Sequence, residues 1–345
     1  MSLERFIRAM PKVELHVHLE GSIRPETLLV LARRNGVELP GSDVEGLRRW
    51  YTFRDFPHFV EIFLTLVQCI QTPDDIEQIA TEFLGQQAAQ NVKHTEITYT
   101  CFTQWVNHDM SYDVQLEALN RAAAHAEREW GISMSYTIDY ARHMPPEDFV
   151  GVAEWAVGRQ GSGVSALGLG GPEVGFPPKL FTEAFEIARR HGLPSAPHAG
   201  ETMGASSVRG AIEALHADRI GHGVRCLEDP DLVGLLRERQ TPLEVCPSSN
   251  VCLGVSPSLD KHPLPRLMEE GLYVTINSDD PPMFGTTLTD EFLRTTDVFA
   301  FSHETIGELA LNAAQASFLP QDRREALVTE MRLEMADLKQ EFGLV

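Results

Sequence analysis

Short apolar runs alternate along this chain with longer segments in which apolar residues recur every three or four positions. Eight of these runs have the length and pattern of strands: 12–19, 94–100, 133–139, 165–171, 193–200, 219–225, 242–249 and 273–280. Between them, segments such as 177–192, which closes on Gly192, and 229–240 have the spacing of amphipathic helices. Strands that alternate with helices predict a parallel sheet built from right-handed crossovers.

Eight strand–helix units in 345 residues predict an α/β fold, a (β/α)8 TIM barrel that forms one domain over residues 1–345. The connection between the first two strands is unusually long, and it contains the helical pattern FRDFPHFVEIFLTLVQCI (53–70). We therefore expect extra helices after strand 1, over about residues 40–90. They form either a lid over the C-terminal mouth of the barrel or simply more core. We also expect a helical C-terminus.

Composition narrows the choice of partners and compartment. The chain has 50 acidic and 29 basic side chains, and its formal net charge of −21 repels nucleic acids. No apolar run is long enough to cross a bilayer, and MSLERFIRAMPK lacks the apolar core of a signal peptide. The five cysteines form no CxxC pair, which is typical of reduced thiols. We expect a cytoplasmic protein without nucleic-acid or membrane partners, and the sequence predicts no oligomeric state.

Polar residues at the ends of the predicted strands are the candidates for chemistry, because functional groups of such barrels lie at the C-terminal ends of the strands. The first, fifth, sixth and eighth runs end in His16, His18, His198, His222, Asp279 and Asp280. Residues two apart on a strand point the same way, so His16 and His18 share a face. Three imidazoles and one carboxylate, from His16, His18, His198 and Asp279, are ligands suited to one zinc ion with a position left for water.

Two further residues near these strand ends are candidates for catalysis. Glu201 follows His198 by three positions, and a carboxyl group beside a metal-bound water is placed to transfer a proton. His222 lies between two glycines, which permit close backbone approach, and it is either a further ligand or a hydrogen-bond donor to the nucleophile. Six other histidines follow no such pattern and are expected to be structural: His58, His94, His108, His125, His143 and His262.

Six segments of the chain resemble, in order, the adenosine/adenine deaminase family of the amidohydrolase superfamily. They are KVELHVHLEGSIRPETL, GLGGPE, HAGE, RIGHGVR, VCPSSN and INSDDP, and the likeness extends from Pro11 to about Phe292. The resemblance implies a zinc aminohydrolase that converts a 6-aminopurine into a 6-oxopurine and ammonia. The fourth strand has no lysine at its end, which fits the branch of the superfamily with one Zn²⁺ per chain.

The resemblance also implies a role for each matching residue. His16, His18, His198 and Asp279 would bind the zinc ion, and a zinc-bound hydroxide would attack C6 of the purine. Glu201 would protonate N1, and His222 would hold the attacking water, so that Glu201, His222 and Asp279 form the catalytic set. Asp280 would hydrogen-bond N7, the backbone of Gly171 would meet N3, and His18 and Glu20 would also contact the substrate.

The substrate is less sharply indicated. The chain has Glu20 where adenosine deaminases of the family have an aspartate that contacts ribose. It reads LGGPE at 169–173, where those enzymes read roughly LAGDE and adenine deaminases of the family read DSSE. We rank adenosine-like nucleosides first, 6-aminodeoxyfutalosine (a menaquinone precursor with an aromatic group in place of the 5′-hydroxyl) second, and free adenine third.

Other functions remain open on the same residues. An amidohydrolase of this fold could cleave an ester, lactone or amide, although it would not need the ring-binding pair Glu201 and Asp280. A purine-binding relative without activity would not need every catalytic position to be filled. A different class of zinc deaminase uses H-x-E with P-C-x-x-C; His18-Leu19-Glu20 matches the first part, but no PCxxC follows.

Overall fold

A computed structural model, which describes residues 2–344, contains eight parallel strands that lie side by side in chain order. The strands are β1 Lys12–His18, β2 Val92–Tyr99, β3 Ser133–Ile138, β4 Val164–Leu169, β5 Ser195–Ala199, β6 Ile220–His222, β7 Leu243–Val245 and β8 Val274–Ile276. Each strand overlaps one of the eight predicted runs, so the predicted α/β barrel architecture is confirmed. The last strands are shorter than predicted, because their runs continue into the loops that carry the polar residues.

The first and last strands meet and nearly close the barrel. The His18 N–H donates to the Asp279 carbonyl at 2.9 Å, and the Asp279 N–H donates to the His16 carbonyl at 3.1 Å. Closer to the strand starts, the Leu15 N–H donates to the side-chain oxygen of Asn277 at 2.9 Å, so an amide side chain replaces a backbone acceptor. This closure brings the C-terminal ends of β1 and β8 together.

Seventeen α-helices are present among the described residues. In chain order, α1–α17 are Ser2–Ala9, Pro25–Asn35, Val44–Trp50, Phe56–Gln68, Pro73–Ala89, Cys101–His108, Tyr112–Trp130, Pro146–Val157, Thr182–Arg190, Ala205–Ala214, Pro230–Arg239, Pro247–Cys252, Leu264–Glu269, Pro281–Phe284, Leu288–Phe299, His303–Ala316 and Gln321–Phe342. Four of them, α2 to α5, lie between β1 and β2, and the last forms the predicted helical C-terminus. Across residues 2–344, no helix combines the length and apolar character needed to span a bilayer.

Helix α4 places an apolar surface over the C-terminal end of the barrel. Its first turn is capped by Asp55, whose side chain accepts from the His58 N–H at 2.9 Å. One face of the helix, spaced every three to four residues, lines the large cavity at this end: Phe56, Phe59, Val60, Phe63, Leu64 and Val67. Phe59 also stacks on Phe284 of α14, with ring centroids 5.5 Å apart, which holds the helix against the β8 side of the barrel.

Candidate active site

Three histidines and one aspartate converge at the C-terminal mouth of the barrel. One nitrogen each of His16, His18 and His198 and one oxygen of Asp279 all lie within 4.8 Å of one another. The Asp279 Oδ1 is 3.4 Å from the His16 Nε2 and 3.3 Å from the His18 Nε2, and the His18 and His198 Nε2 atoms are 3.1 Å apart. Three of the four residues are buried, and His18 is half-buried. Strands β1 and β5 and the loop after β8 therefore present four good metal ligands to one point.

The electrostatics of this cluster suit a cation. The His16 Nε2 is buried and has no hydrogen-bond partner among the described residues. Buried polar atoms normally have a partner, and a metal ion would provide one here. Burial opposes charge on His16, but the Asp279 and Glu244 carboxylates outweigh burial and raise the pKa of His16 to about 10. Burial likewise opposes charge on His18, while Asp280 and Asp279 raise the pKa of His18 to about 9. The negative potential that draws protons to these rings also attracts a metal ion.

A buried chain of charges supports His16 from inside the barrel. The His16 Nδ1 is 2.8 Å from the Glu244 Oε2, and Arg219 donates to the other Glu244 oxygen at 2.6 Å. Arg219 also lies 2.7 Å from the Glu96 carboxylate of β2, and all of these side chains are buried. A carboxylate behind a metal-binding imidazole fixes its ring and leaves Nε2 free for the metal.

The backbone is strained where this site is formed. His222 has a φ of 60° and Asp279 a φ of 64°, in the left-handed region that residues with side chains rarely adopt. A Cβ at Gly221 would lie 2.7 Å from the His16 Cε1 and 3.1 Å from the His198 Cα. The glycine beside His222 is therefore required for close approach, as the sequence predicts.

Glu201 is buried next to this cluster and is held in place through its backbone. Its Oε1 lies 3.7 Å from the His222 Nε2. The Glu173 carboxylate accepts from the backbone N–H groups of residues 200, 201, 202 and 203 at 2.7–3.1 Å, and so fixes the loop after β5. Burial, together with the negative charges of Asp279 and Glu173, raises the pKa of Glu201 well above its usual range. Burial therefore favours the protonated form of Glu201, which is the form that can act as an acid.

Three more buried acids border the cavity, and each has an oxygen without a hydrogen-bond partner among the described residues: Glu20 Oε2, Asp139 Oδ1 and Asp280 Oδ1. Burial raises the pKa of Glu20 to about 7 and that of Asp139 to about 6. Both flank Thr100, whose N–H donates to the Glu20 Oε1 at 3.0 Å and whose hydroxyl is 3.5 Å from the Asp139 Oδ2. Buried polar oxygens without partners are suited to hydrogen bonds with a ligand.

A cavity of about 820 Å³ that is open to solvent joins these groups. Its floor contains Glu201, His222, Asp279 and Asp280, and its walls include Gly171, Met144 and Leu253 in addition to the apolar face of α4. All of the sequence-predicted site residues lie on this cavity except His16, which is fully buried beneath it. Such a chamber, apolar with a few converging polar groups, is typical of a small-molecule site.

Several site residues were not predicted from the sequence. Asp139 and His143 line the cavity, although Asp139 is not among the predicted site residues and His143 is expected from the sequence to be structural. Asp139 does end a predicted strand, so its position was a usable signal. Glu173, Glu244 and Asn250 act from behind the residues that face the cavity, and nothing in their local sequence indicates a partner.

Comparison with known proteins identifies the family to which this chain is similar. The family model described as adenosine deaminase matches residues 11–333. The aminodeoxyfutalosine deaminase of Streptomyces avermitilis is 37% identical over 335 residues, 95% of this chain and 92% of the relative. The crystal structure of adenine deaminase from Arthrobacter aurescens is 35% identical and has a TM-score of 0.89, with 94% of this chain and 98% of that chain covered.

A second solved structure bears on the metal. An amidohydrolase from Burkholderia ambifaria, with bound Zn, has a TM-score of 0.91 and 26% identity, with 99% of this chain and 95% of that chain covered. The family match covers most of the chain, and the named relatives are hydrolytic deaminases. The chain therefore belongs to the adenosine deaminase family of metal-dependent amidohydrolases and is a deaminase.

Proposed function

We propose that this deaminase is zinc-dependent and removes the 6-amino group of 6-aminodeoxyfutalosine as ammonia. The observation that carries the proposal is a cluster of metal ligands and a buried acid on the floor of a cavity whose opposite wall is apolar. This differs from the sequence-based ranking, which put adenosine first. The relative from Streptomyces avermitilis supports the change.

Zinc is the metal that the donor set favours. Zinc–ligand bonds of about 2.0–2.2 Å place neighbouring ligand atoms about 3–3.5 Å apart, and zinc can expand to five ligands, so that a water joins the four side chains. Three of the separations, Asp279–His16, Asp279–His18 and His18–His198, are 3.4, 3.3 and 3.1 Å, and all four ligand atoms lie within 4.8 Å of one another, which fits one zinc ion. Nitrogen and carboxylate ligands with no thiolate among them suit a catalytic rather than a structural site. The zinc-containing relative supports the same choice.

The proposed roles of the side chains follow from their protonation states. A zinc ion bound here would supply a Lewis acid that lowers the pKa of a coordinated water toward about 7. Glu201, kept protonated by burial, donates its proton to N1 of the purine as the nucleophile adds at C6. Burial lowers the pKa of His222 to about 4, so it is a neutral ring that positions the nucleophile through a hydrogen bond. The hydroxyl group added at C6 then gives its proton to the amino nitrogen, the C6–N bond breaks, and ammonia leaves as the 6-oxo group forms.

Recognition of the purine would fall to residues at the other side of the floor. Burial and the Asp279 charge raise the pKa of Asp280 well above its usual range, which favours the protonated form, the form that can donate a hydrogen bond to N7. Gly171, with a φ of 85°, borders the cavity where its backbone can meet N3. An esterase or lactonase would need neither group, which argues against that function.

The choice of 6-aminodeoxyfutalosine rests on two parts of the cavity. The free oxygens of Glu20 and Asp139 suit the two hydroxyl groups of a ribose, whereas adenine has no hydroxyl to offer. The six-residue apolar face of α4 then suits an aromatic substituent beyond the sugar. We propose that α4 acts as a lid within a single domain of residues 1–345.

Adenine is the second candidate, because the solved relative that is 35% identical is an adenine deaminase. The test measures ammonia release from 6-aminodeoxyfutalosine, adenine and adenosine side by side with zinc-loaded protein. We expect the highest kcat/KM for 6-aminodeoxyfutalosine. A highest value for adenine or adenosine would replace the proposed substrate, and no ammonia from any of the three would contradict the proposed function.

A further inference from the structure

A row of hydrogen bonds leads from the backbone of α13 to the active site. The Leu264 N–H donates to the His262 Nδ1 at 3.1 Å, and the His262 Nε2 is 3.0 Å from the Asn250 Oδ1. The Asn250 Nδ2 is in turn 3.2 Å from the His222 Nδ1. His262, Asn250 and His222 are buried, with 3%, 0% and 1% of their surfaces exposed, so water does not compete for these bonds.

The hydrogen bond at the outer end of the row fixes which atom donates and which accepts in each of the others. A backbone N–H can only donate, so the His262 Nδ1 must accept and the ring proton must be on Nε2. Burial also lowers the pKa of His262 to about 4, which agrees with a neutral ring. The His262 Nε2–H therefore donates to the oxygen of Asn250. This donor by itself identifies which end of the Asn250 amide is the oxygen and which is the nitrogen. The amide nitrogen then donates to the His222 Nδ1.

The consequence at the active site is a defined tautomer of His222. With Nδ1 accepting, the His222 proton is on Nε2, which lies 3.7 Å from the Glu201 Oε1 and 3.9 Å from the Asp279 Oδ2. An N–H in that position can donate a hydrogen bond into the site, but it has no lone pair for a metal. The row thus decides between the two roles that the sequence leaves open for His222.

We propose that Asn250 and His262 are positioning residues that hold His222 as its Nε2–H tautomer, a hydrogen-bond donor and not a metal ligand. Their effect on turnover rests on the proposed function, but the tautomer does not. At the catalytic triad of serine proteases, an exchange that forces the wrong histidine tautomer lowers kcat by about 10⁴-fold.

The test reads the tautomer directly, by long-range ¹H–¹⁵N NMR of zinc-loaded protein labelled at its histidine nitrogens. We expect His222 to be protonated on Nε2 and bare on Nδ1. In Asn250→Asp the new carboxylate accepts only, so Nδ1 should gain a proton, and kcat should fall by roughly 10²–10⁴-fold with a smaller change in KM. A wild-type His222 protonated on Nδ1, or an Asn250→Asp protein in which Nδ1 stays bare, would overturn the proposal.

A second pair of variants covers the case in which Asn250→Asp does not fold. His262→Gln keeps an N–H donor for the Asn250 oxygen and should retain the Nε2–H tautomer. His262→Phe removes the donor and should give a mixture of His222 tautomers. Identical spectra for the two variants would contradict the role proposed for His262 in this row of hydrogen bonds. Cys252→Ser is the control, because Cys252 is exposed and lies on α12, the helix that contains Asn250. If the tautomers are as expected but no 6-aminopurine is deaminated, the proposed function fails and the positioning role stands.

Discussion

At the scale of single residues, the site contains two buried carboxyl groups to which we assign different roles, Asp279 as a metal ligand and Glu201 as a proton donor. Asp279 lies 3.3–3.4 Å from two imidazole nitrogens, whereas Glu201 contacts the cluster only through His222, at 3.7 Å. Both carboxyl groups are buried, yet their environments push their pKa values in opposite directions. The adjacent imidazoles outweigh burial and hold the pKa of Asp279 well below its usual range, while burial raises that of Glu201. A ligand and an acid can therefore coexist within one cavity.

Glu201→Gln and Asp279→Ala should separate these two roles. Glu201→Gln removes the acidic proton but no ligand, so zinc content should stay at one per chain while kcat falls by about 10²–10⁴-fold. Asp279→Ala should abolish both metal retention and turnover. Metal analysis by mass spectrometry and ammonia release are the measurements, with the exposed Glu45→Gln as control. Full activity of Glu201→Gln would remove its assignment as proton donor.

Metal binding should depend on pH through His16 and His18. In protein stripped of metal their pKa values are about 10 and 9, above the usual 6.5, so protons on these rings stabilise the fold below pH 6.5. That stabilisation is lost as the pH rises through 9 to 10. A metal must displace these protons, so its apparent affinity should rise as the pH increases toward 9 to 10 and level off above that range. Calorimetric titration at pH 7 in two buffers of different ionisation enthalpy should show proton release; none would contradict this electrostatic picture.

At the scale of elements, α4 and the strand ends provide different parts of the site. We assign substrate selectivity to α4 and the chemistry to the strand ends. The strand ends and their loops provide the polar floor, and one face of α4 provides the apolar wall. Phe63 on that face lies beside the metal cluster, with its ring centroid 6.3 Å from that of His18. Because α4 belongs to the long connection after β1 and not to the sheet, its sequence can change without disturbing the metal ligands.

Phe63→Ala should therefore alter substrate choice more than chemistry. We expect KM for 6-aminodeoxyfutalosine to rise by roughly 10-fold or more, because a buried aromatic contact is worth about 1.5–3 kcal/mol. KM for adenine, which has neither the sugar nor the aromatic substituent, should rise less. Steady-state kinetics with both substrates is the measurement, and Glu61→Ala on the exposed face of α4 is the control. An equal effect on both substrates would mean that α4 only supports the fold.

At the scale of the whole molecule, the barrel interior holds an ion cluster that links β2, β6, β7 and the C-terminal helices. Arg219 bridges the Glu96 and Glu244 carboxylates, donates to the Ala316 carbonyl at 2.9 Å and lies 3.7 Å from the centre of the Phe318 ring. Since Glu244 also contacts His16, the cluster connects the stability of the barrel to the metal site. A buried guanidinium is tolerated here because two carboxylates, a carbonyl and an aromatic face surround it.

Arg219→Met should be strongly destabilising, by about 3–5 kcal/mol, because it leaves two buried carboxylates without the guanidinium charge that they share. It should also weaken metal binding by about 10–100-fold through the loss of support for His16. Urea unfolding of metal-free protein and zinc titration are the measurements. Arg128→Met, at an exposed ion pair with Glu129, should cost no more than about 1 kcal/mol. A similar small cost at Arg219 would show that the cluster does not hold the barrel together.

The order of strands and helices, and the placement of histidines and aspartates at strand ends, could be predicted from the sequence. Both signals are local: alternation and helical periodicity extend over a few residues, and a polar residue that follows an apolar run is visible without knowledge of any partner. The resemblance to a deaminase family likewise depends on short motifs that can be read in order.

Only the tertiary structure decided which distant groups support these residues. Asn250 reaches His222 and Glu173 reaches the loop of Glu201 because neighbouring strands of the barrel end at the same level. Glu244 of β7 reaches His16 of β1 although β8 lies between the two strands, because closure of the barrel brings them together. The sequence also left open whether α4 borders the cavity, because its apolar spacing is compatible with either a lid or more core. Contacts of this kind depend on strand register, barrel closure and loop path, which are properties of the packed chain and leave no pattern in any one segment.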